Sequence, residues 1–83
     1  MTLKDLVRVL NDTYLEIVCS KNGEDVTVYD DEYQISEMPG GFDGTIERQD
    51  LPWADHRVNV VCPIVSDLDA FYTKTIVYLA NET

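Results

Sequence analysis

The chain has 83 residues, enough for one compact domain with one hydrophobic core. Hydrophobic residues make up 45% of it and aromatic residues 10%, a composition typical of a globular fold and not of a disordered chain. The formal net charge of -10 opposes direct binding to nucleic acid or to an anionic membrane surface. No apolar run approaches the ~20 residues of a membrane helix and no signal peptide opens the chain, so we expect a cytoplasmic protein.

A short amphipathic helix is predicted at the N-terminus. Its apolar stripe has the i, i+3, i+4, i+7 spacing of one helix face and consists of Leu3, Leu6, Val7 and Leu10. Thr2, followed three residues later by Asp5, has the spacing of a capping box. The helix is expected to end at Asn11.

Three strands are predicted next. Residues 14–20 alternate apolar and polar side chains, the period of a half-buried strand. Asn22-Gly23 favours a type I′ turn, so residues 26–29 should return antiparallel as a hairpin. Residues 33–36 can add a third, shorter strand.

A long connection is predicted at about residues 38–53, because three glycines and two prolines fall within it. A loop of this length is typical of a binding loop or of a poorly ordered flap. Phe42 and Trp53 indicate that parts of it pack back onto the core.

Two further strands are predicted at residues 57–65 and 73–79. In the first, Val58, Val60 and Cys62 are expected on one face. The resulting prediction is a single α+β domain over residues 1–83, in which the N-terminal amphipathic helix packs on a mainly antiparallel sheet of four to five strands.

The chain has few side chains suited to catalysis or to metal binding. His56, Cys19 and Cys62 make three zinc ligands at most, where a structural site needs four, and Asp30-Asp31-Glu32 lacks the alternating spacing of a calcium loop. We expect two free structural thiols, no metal and no other cofactor. An enzyme with His56 as general base beside Asp55 is a weaker alternative, because adjacent residues are poorly placed to orient one another.

The distribution of the acidic residues is the most informative feature of the sequence. No basic residue lies between Lys21 and Arg48, whereas eight acidic residues do: Glu24, Asp25, Asp30, Asp31, Glu32, Glu37, Asp43 and Glu47. A hairpin would gather many of them into one exposed negative ridge that imitates a nucleic-acid backbone and docks in a basic groove. The plainer interpretation is that the charge only keeps a small protein in solution.

Part of the chain resembles a known family. The opening Met1-Thr2-Leu3-Lys4-Asp5-Leu6-Val7-Arg8, the Tyr14 strand and Glu32-Tyr33-Gln34-Ile35-Ser36-Glu37 are similar to the first half of small acidic anti-CRISPR proteins carried by phages of Gram-positive bacteria. The opening is also similar to other small phage and mobile-element proteins. The resemblance covers residues 1–37, and it implies that a helix and a three-stranded sheet present carboxylates to an effector nuclease.

The same resemblance implies that Asp30, Asp31, Glu32 and Glu37 form the phosphate-mimicking face. The family's second half is helical, whereas residues 57–79 here are predicted to be β. Two functions therefore stay open. The first is an anti-CRISPR-like inhibitor that binds a basic nucleic-acid-binding groove of an effector nuclease, with all eight acidic residues as its binding set. The second is a non-enzymatic interaction module that self-associates, as a homodimer, through a sheet edge.

Overall fold

The computed structural model describes residues 1–80. Its elements, in chain order, are helix α1 (Leu3–Val7), strands β1 (Thr13–Lys21), β2 (Glu24–Asp30) and β3 (Ile35–Ser36), a 3-10 turn (Arg48–Asp50), and strands β4 (Val58–Val65) and β5 (Thr73–Leu79). The strands form one five-stranded sheet in the order β3-β2-β1-β5-β4. The predicted α+β class is therefore confirmed. Within residues 1–80, the helices fall short of the length and apolar character that crossing a membrane requires.

Helix α1 begins where the sequence predicts and ends early. The Thr2 hydroxyl accepts from the Asp5 N–H and the Asp5 carboxylate accepts from the Thr2 N–H, which completes the capping box. The apolar stripe buries Leu3, Leu6 and Val7, but the helix stops at Val7 and spans five residues. Such a short helix depends on tertiary packing for its stability.

The β1–β2 hairpin forms as predicted. Asn22 and Gly23 have φ values of 53° and 81°, the positive values that a type I′ turn needs at both central positions. A bulge after Ile17 leaves Val28 without a partner on β1, because Ile17 pairs with Tyr29 and Val18 pairs with Thr27. Val28 and Tyr29 are both buried in the core as a result.

The sheet is mixed, and the prediction of a mainly antiparallel sheet is wrong in this respect. β1 pairs with β5 in parallel from Thr13 opposite Thr73 to Val18 opposite Tyr78, while β2, β3 and β4 join by antiparallel pairs. Parallel neighbours need a long crossover connection, and the chain between β1 and β5 supplies it. The pattern of apolar residues within each strand carries no information about which distant strand lies beside it.

One face of the sheet carries the hydrophobic core. Leu15, Ile17 and Val77 contribute fully buried side chains from β1 and β5. Helix α1 and residues 38–53 form the covering layer, in which Met38 and Leu51 are buried. The long connection is thus a packed part of the fold.

Aromatic contacts hold the long connection to the sheet. The Phe42 ring stacks on Tyr29 at a centroid distance of 5.8 Å, and the Trp53 ring lies 6.3 Å from the same tyrosine. The predicted return of Phe42 and Trp53 to the core is therefore confirmed.

The second face of the sheet has no covering helix within residues 1–80. It carries Lys74, Ile76 and Tyr78 of β5 and, from β4, the residues opposite them: Ile64, Cys62 and Val60. A bulge at Asn59 moves Val58 to the core face, opposite Leu79. The prediction that Val58 shares a face with Val60 and Cys62 is therefore wrong.

Candidate functional site

A buried ion cluster occupies one end of the second sheet face. Lys74 on β5 is 3% exposed, and its ammonium lies 2.7 Å from Asp30 Oδ2, 3.0 Å from Glu32 Oε1 and 3.1 Å from Glu16 Oε1. The Tyr33 ring covers the ammonium at 4.9 Å. Three carboxylates around one cation give this cluster an excess of negative charge in a site shielded from water.

Additional hydrogen bonds satisfy the carboxylates. The Ser66 hydroxyl donates to Glu32, the Thr27 hydroxyl donates to Glu16 at 2.7 Å, and Asp30 Oδ1 accepts the Glu32 N–H at 2.9 Å. Among the described residues, every buried side-chain nitrogen and oxygen has a hydrogen-bond partner. A buried polar network destabilises a fold unless each of its polar groups has a hydrogen-bond partner, and this cluster meets that condition.

The pKa values in the cluster favour the charged forms. Burial alone would raise the pKa of the Glu32 carboxyl, but hydrogen bonds from Ser66 and Lys74 outweigh it and lower that pKa. Burial alone would lower the pKa of Lys74, but its bonds to Asp30, Glu32 and Glu16 raise it well above the ordinary value. A lysine held in this charged form is a poor nucleophile, and its ammonium connects β5 to Glu16 of β1, to Asp30 of β2 and to Glu32 beyond β2.

Asp31 has a basic partner from the long connection. Arg48 donates to Asp31 Oδ2 at 2.8 Å and to the Thr13 carbonyl at 2.7 Å, while Asp31 Oδ1 accepts the Leu15 N–H at 2.7 Å. The pair fastens residues 38–53 to the start of β1. Asp31 therefore connects the long connection to β1 through its ion pair and hydrogen bonds.

The eight acidic residues of the predicted binding set do not form one exposed ridge. Asp30 and Glu32 are buried against Lys74, Asp31 pairs with Arg48, and Glu37 pairs with Lys21 on the hairpin. The expectation of an uncompensated exposed cluster is wrong for these four, because folding brings cations from distant parts of the sequence to them. The remaining members of the set lie at the surface: Glu24, Asp25, Asp43 and Glu47.

His56 and the two cysteines do not form a constellation. The backbone of His56 makes two hydrogen bonds: its carbonyl accepts the Leu3 N–H, and its N–H donates to the Trp53 carbonyl. The backbone of His56 therefore helps to attach helix α1 to the long connection. Cys19 and Cys62 are free thiols on β1 and β4, strands separated by β5. Burial raises the pKa of the Cys19 thiol, which disfavours the reactive thiolate at neutral pH.

The most exposed apolar region follows β4 and the turn after it. We define the β4 surface as the exposed large hydrophobic residues of this region: Val60, Val61, Ile64, Val65, Leu68, Phe71 and Tyr72. Phe71 is 98% exposed and Val65 is 63% exposed. The exposed side chains of β4 lie on both faces of the sheet: Val60 and Ile64 on the second face, and Val61 and Val65 on the core face.

β4 is also an edge strand. It pairs with β5 on one side, and no other strand of residues 1–80 pairs along its second side apart from an isolated bridge between Thr2 and Arg57. Residues 58–65 carry no charged side chain. Sequence reasoning assigned this segment to a strand but gave it no functional role, although an uncharged run of this length in a strongly acidic chain is a visible signal.

A shallow groove of about 520 Å³ adjoins the β4 surface on the second sheet face. Its walls combine apolar and polar side chains from four strands: Val18, Ser20, Asp25, Asn59, Val60, Tyr78 and Leu79. The groove extends the exposed region inward from β4 towards the hairpin.

Comparison of the chain with protein-family models, with curated proteins and with solved structures gives no match.

Proposed function

We propose that the protein is a non-enzymatic interaction module that self-associates through the edge of its sheet at β4. One observation carries the proposal: β4 is an eight-residue edge strand without a charged side chain in a chain of net charge -10. A free strand edge presents backbone donors and acceptors that pair readily with another strand. The exposed apolar side chains of the β4 surface add contact area on both sides of that edge.

A second copy of the chain suits this edge for an electrostatic reason. Two molecules with the same large negative charge repel each other over most of their surfaces. The uncharged run from Val58 to Val65 is where two copies approach with the least repulsion. An antiparallel pairing of identical strands is also self-complementary, as a twofold interface requires.

The opposite edge of the sheet contrasts with β4. β3 spans only two residues, and such a short edge strand offers little template for pairing. Glu37 follows directly after it and is exposed. Self-association through β3 is therefore disfavoured by both length and charge.

Sedimentation over a range of protein concentrations tests the proposal. The wild-type chain should form a dimer, and Val61→Lys should weaken dimerisation by placing like charges across the interface. Val9→Lys is the matched control, because Val9 is 68% exposed and lies outside the β4 surface. A wild-type chain that stays monomeric at every concentration, or a dimer indifferent to Val61→Lys, would contradict the proposal.

A second candidate function is the anti-CRISPR-like inhibitor that docks in a basic nucleic-acid-binding groove. The observation that favours it is the exposed acidic residues of the predicted set, which have no cation within salt-bridge distance among residues 1–80: Glu24, Asp25, Asp43 and Glu47. Glu24 and Asp25 are the first two residues of β2, directly after the Asn22-Gly23 turn, and both are exposed. Carboxylates at such a tip can reach lysine and arginine side chains in a groove.

Inhibition of DNA cleavage by a CRISPR effector nuclease tests this second candidate. Inhibition should weaken with added salt and with the double variant Glu24→Gln and Asp25→Asn. The matched control, Asp12→Asn with Asp50→Asn, removes two exposed charges elsewhere and should have a smaller effect. No inhibition by the wild-type chain, or equal effects of the two double variants, would refute the candidate. Variants of Asp30, Asp31 and Glu32 are unsuitable, because these residues hold the fold together.

A further inference from the structure

We infer that a pocket beside the start of β1 binds a small quaternary ammonium cation of the choline type. The inference goes beyond the proposed self-association and does not rest on it. It follows from the position of two tyrosine rings, from the uncompensated carboxylate of Asp12 and from the hydrogen-bond acceptors that the fold already uses there.

The pocket lies where the chain enters β1 and where the turn before β5 comes close to it. It has a volume of about 350 Å³, and its walls are Asp12, Thr13, Tyr14, Asp31, Arg48 and Tyr72. That volume is at the lower end of the range for small-molecule sites. The pocket therefore suits one small ligand.

Two tyrosine rings form adjacent walls. The rings of Tyr14 and Tyr72 have centroids 6.3 Å apart and planes inclined at 65°. Inclined rings do not cover each other as stacked rings do, so part of each ring face stays available to a ligand. An aromatic face attracts a cation that lies within about 6 Å of its centroid, and quaternary ammonium groups are recognised in this way.

The charges in the walls also favour a cation. Arg48 donates to Asp31 Oδ2 at 2.8 Å, so these two opposite charges compensate each other. Asp12 is exposed, and within residues 1–80 no cation lies within salt-bridge distance of it. The pocket therefore has one uncompensated negative charge beside the two rings. The net charge of -10 on the chain adds to the attraction.

The acceptors in the pocket select a cation that has no N–H group. Asp31 accepts from the Leu15 N–H and from Arg48, and the Thr13 carbonyl accepts from Arg48 at 2.7 Å. Both oxygens of Asp31 are thereby engaged, which leaves the Asp12 carboxylate as the remaining charged acceptor. A primary ammonium has three N–H donors, and each loses a hydrogen bond to water on entering a pocket that offers no acceptor. A quaternary ammonium has no N–H group, so it avoids this loss.

Titration of choline into the isotope-labelled chain, followed by amide chemical shifts in NMR, tests the inference. Saturable shifts are expected at Asp12, Thr13, Tyr14 and Tyr72. The uncharged isostere of choline, in which a tert-butyl group replaces the trimethylammonium group, should bind more weakly because it lacks the charge. Ethanolamine should bind more weakly because of its N–H groups, and phosphocholine because Asp12 repels its phosphate.

Two variants of Tyr72 separate the ring from the rest of the pocket. Tyr72→Leu should weaken choline binding by about 2- to 30-fold, the range that cation–π contacts span, whereas Tyr72→Phe should keep the affinity because it keeps the ring face. Phe71→Leu is the matched control, because Phe71 is 98% exposed and is not part of the pocket walls.

A variant of Asp12 tests the charge at a position outside the β4 surface. Asp12→Asn should weaken choline binding, because it removes the uncompensated charge of the pocket. Asp25→Asn is the matched control, because Asp25 is exposed near the hairpin turn and away from the start of β1.

Four results would overturn the inference: no saturable shift with choline, equal binding of the uncharged isostere, tighter binding of phosphocholine than of choline, or equal effects of Tyr72→Leu and Phe71→Leu. Sedimentation of the same chain measures self-association separately. A chain that dimerises without binding choline refutes this site alone, and a monomer that binds choline refutes the self-association alone.

Discussion

Replacing Lys74 by methionine is expected to remove a large part of the folding stability of this domain. Methionine matches the length of the lysine stem and leaves the packing against β1 nearly intact. The substitution removes the one cation that the structure places between Asp30, Glu32 and Glu16, at distances of 2.7 to 3.1 Å. Three neighbouring carboxylates would then share a site shielded from water, and they could stay there only by taking up protons or by unfolding the strands around them.

The magnitude follows from the burial of the cluster. Removing one partner of a buried ion pair costs about 3–5 kcal/mol, because the remaining charge is left uncompensated. A domain of this size has a total stability of about 4–12 kcal/mol. Lys74→Met should therefore leave a marginal fold at neutral pH. Combining it with Glu16→Gln, Asp30→Asn and Glu32→Gln should recover part of the loss, because the neutral side chains need no cation.

Urea unfolding monitored by Trp53 fluorescence measures these differences, since Trp53 packs against Tyr29 in the core. Lys21→Met is the matched control, because the Lys21–Glu37 pair is half-exposed and such pairs contribute little. A Lys74→Met variant as stable as Lys21→Met would refute the argument that the cluster is a compensated buried network. A combined variant less stable than Lys74→Met would show that hydrogen bonding, and not charge, dominates there.

Three further predictions concern pH, the long connection and the hairpin turn. Because the folded-state pKa of Glu32 lies below its ordinary value of 4.5, the stability that its carboxylate contributes should be present above that pH and lost as the pH falls through the lowered pKa. The free energy of unfolding should therefore fall less steeply with decreasing pH in Glu32→Gln than in the wild-type chain. Arg48→Met should cost about 1.5–3 kcal/mol in urea unfolding through loss of its bonds to Asp31 and to the Thr13 carbonyl, and a change near zero would contradict the attachment described above. Gly23→Ala should lower the free energy of unfolding by about 1–2 kcal/mol, because alanine is strained at a φ of 81° even though the space around residue 23 is open. An unchanged melting midpoint would contradict this backbone strain.

Local features of the fold could be predicted from the sequence because their determinants are adjacent in the chain. The capping box needs only Thr2 and Asp5, and the hairpin needs only Asn22-Gly23 between two apolar runs. The pairing of β1 with β5 could not be predicted, because strand alternation says which side chains share a face and not which strand is the neighbour. The early end of helix α1 at Val7 could not be predicted either, because Arg8, Val9 and Leu10 include no glycine or proline.

The acidic residues illustrate the same limit at the candidate site. Linear spacing made Asp30 and Glu32 appear uncompensated, while their counter-ion lies more than forty positions away at Lys74. One signal was available: Lys74 is a lone charge in an otherwise uncharged strand, and a charged residue in an interior strand requires a partner. That signal indicates a buried pair but cannot name its members. The uncharged run of β4 was equally visible, and its exposure became apparent only once the strand was placed at the edge of the sheet.

The position of β5 has a consequence for synthesis of the chain. β5 lies between β1 and β4 and carries the ammonium that pairs with three carboxylates of the preceding segments. β5 is the last strand of residues 1–80 to be synthesised, so β1 and β4 have no strand between them until it is made. The carboxylates of Glu16, Asp30 and Glu32 lack the Lys74 ammonium until then, and the non-local pairing of β5 completes the sheet in a late step.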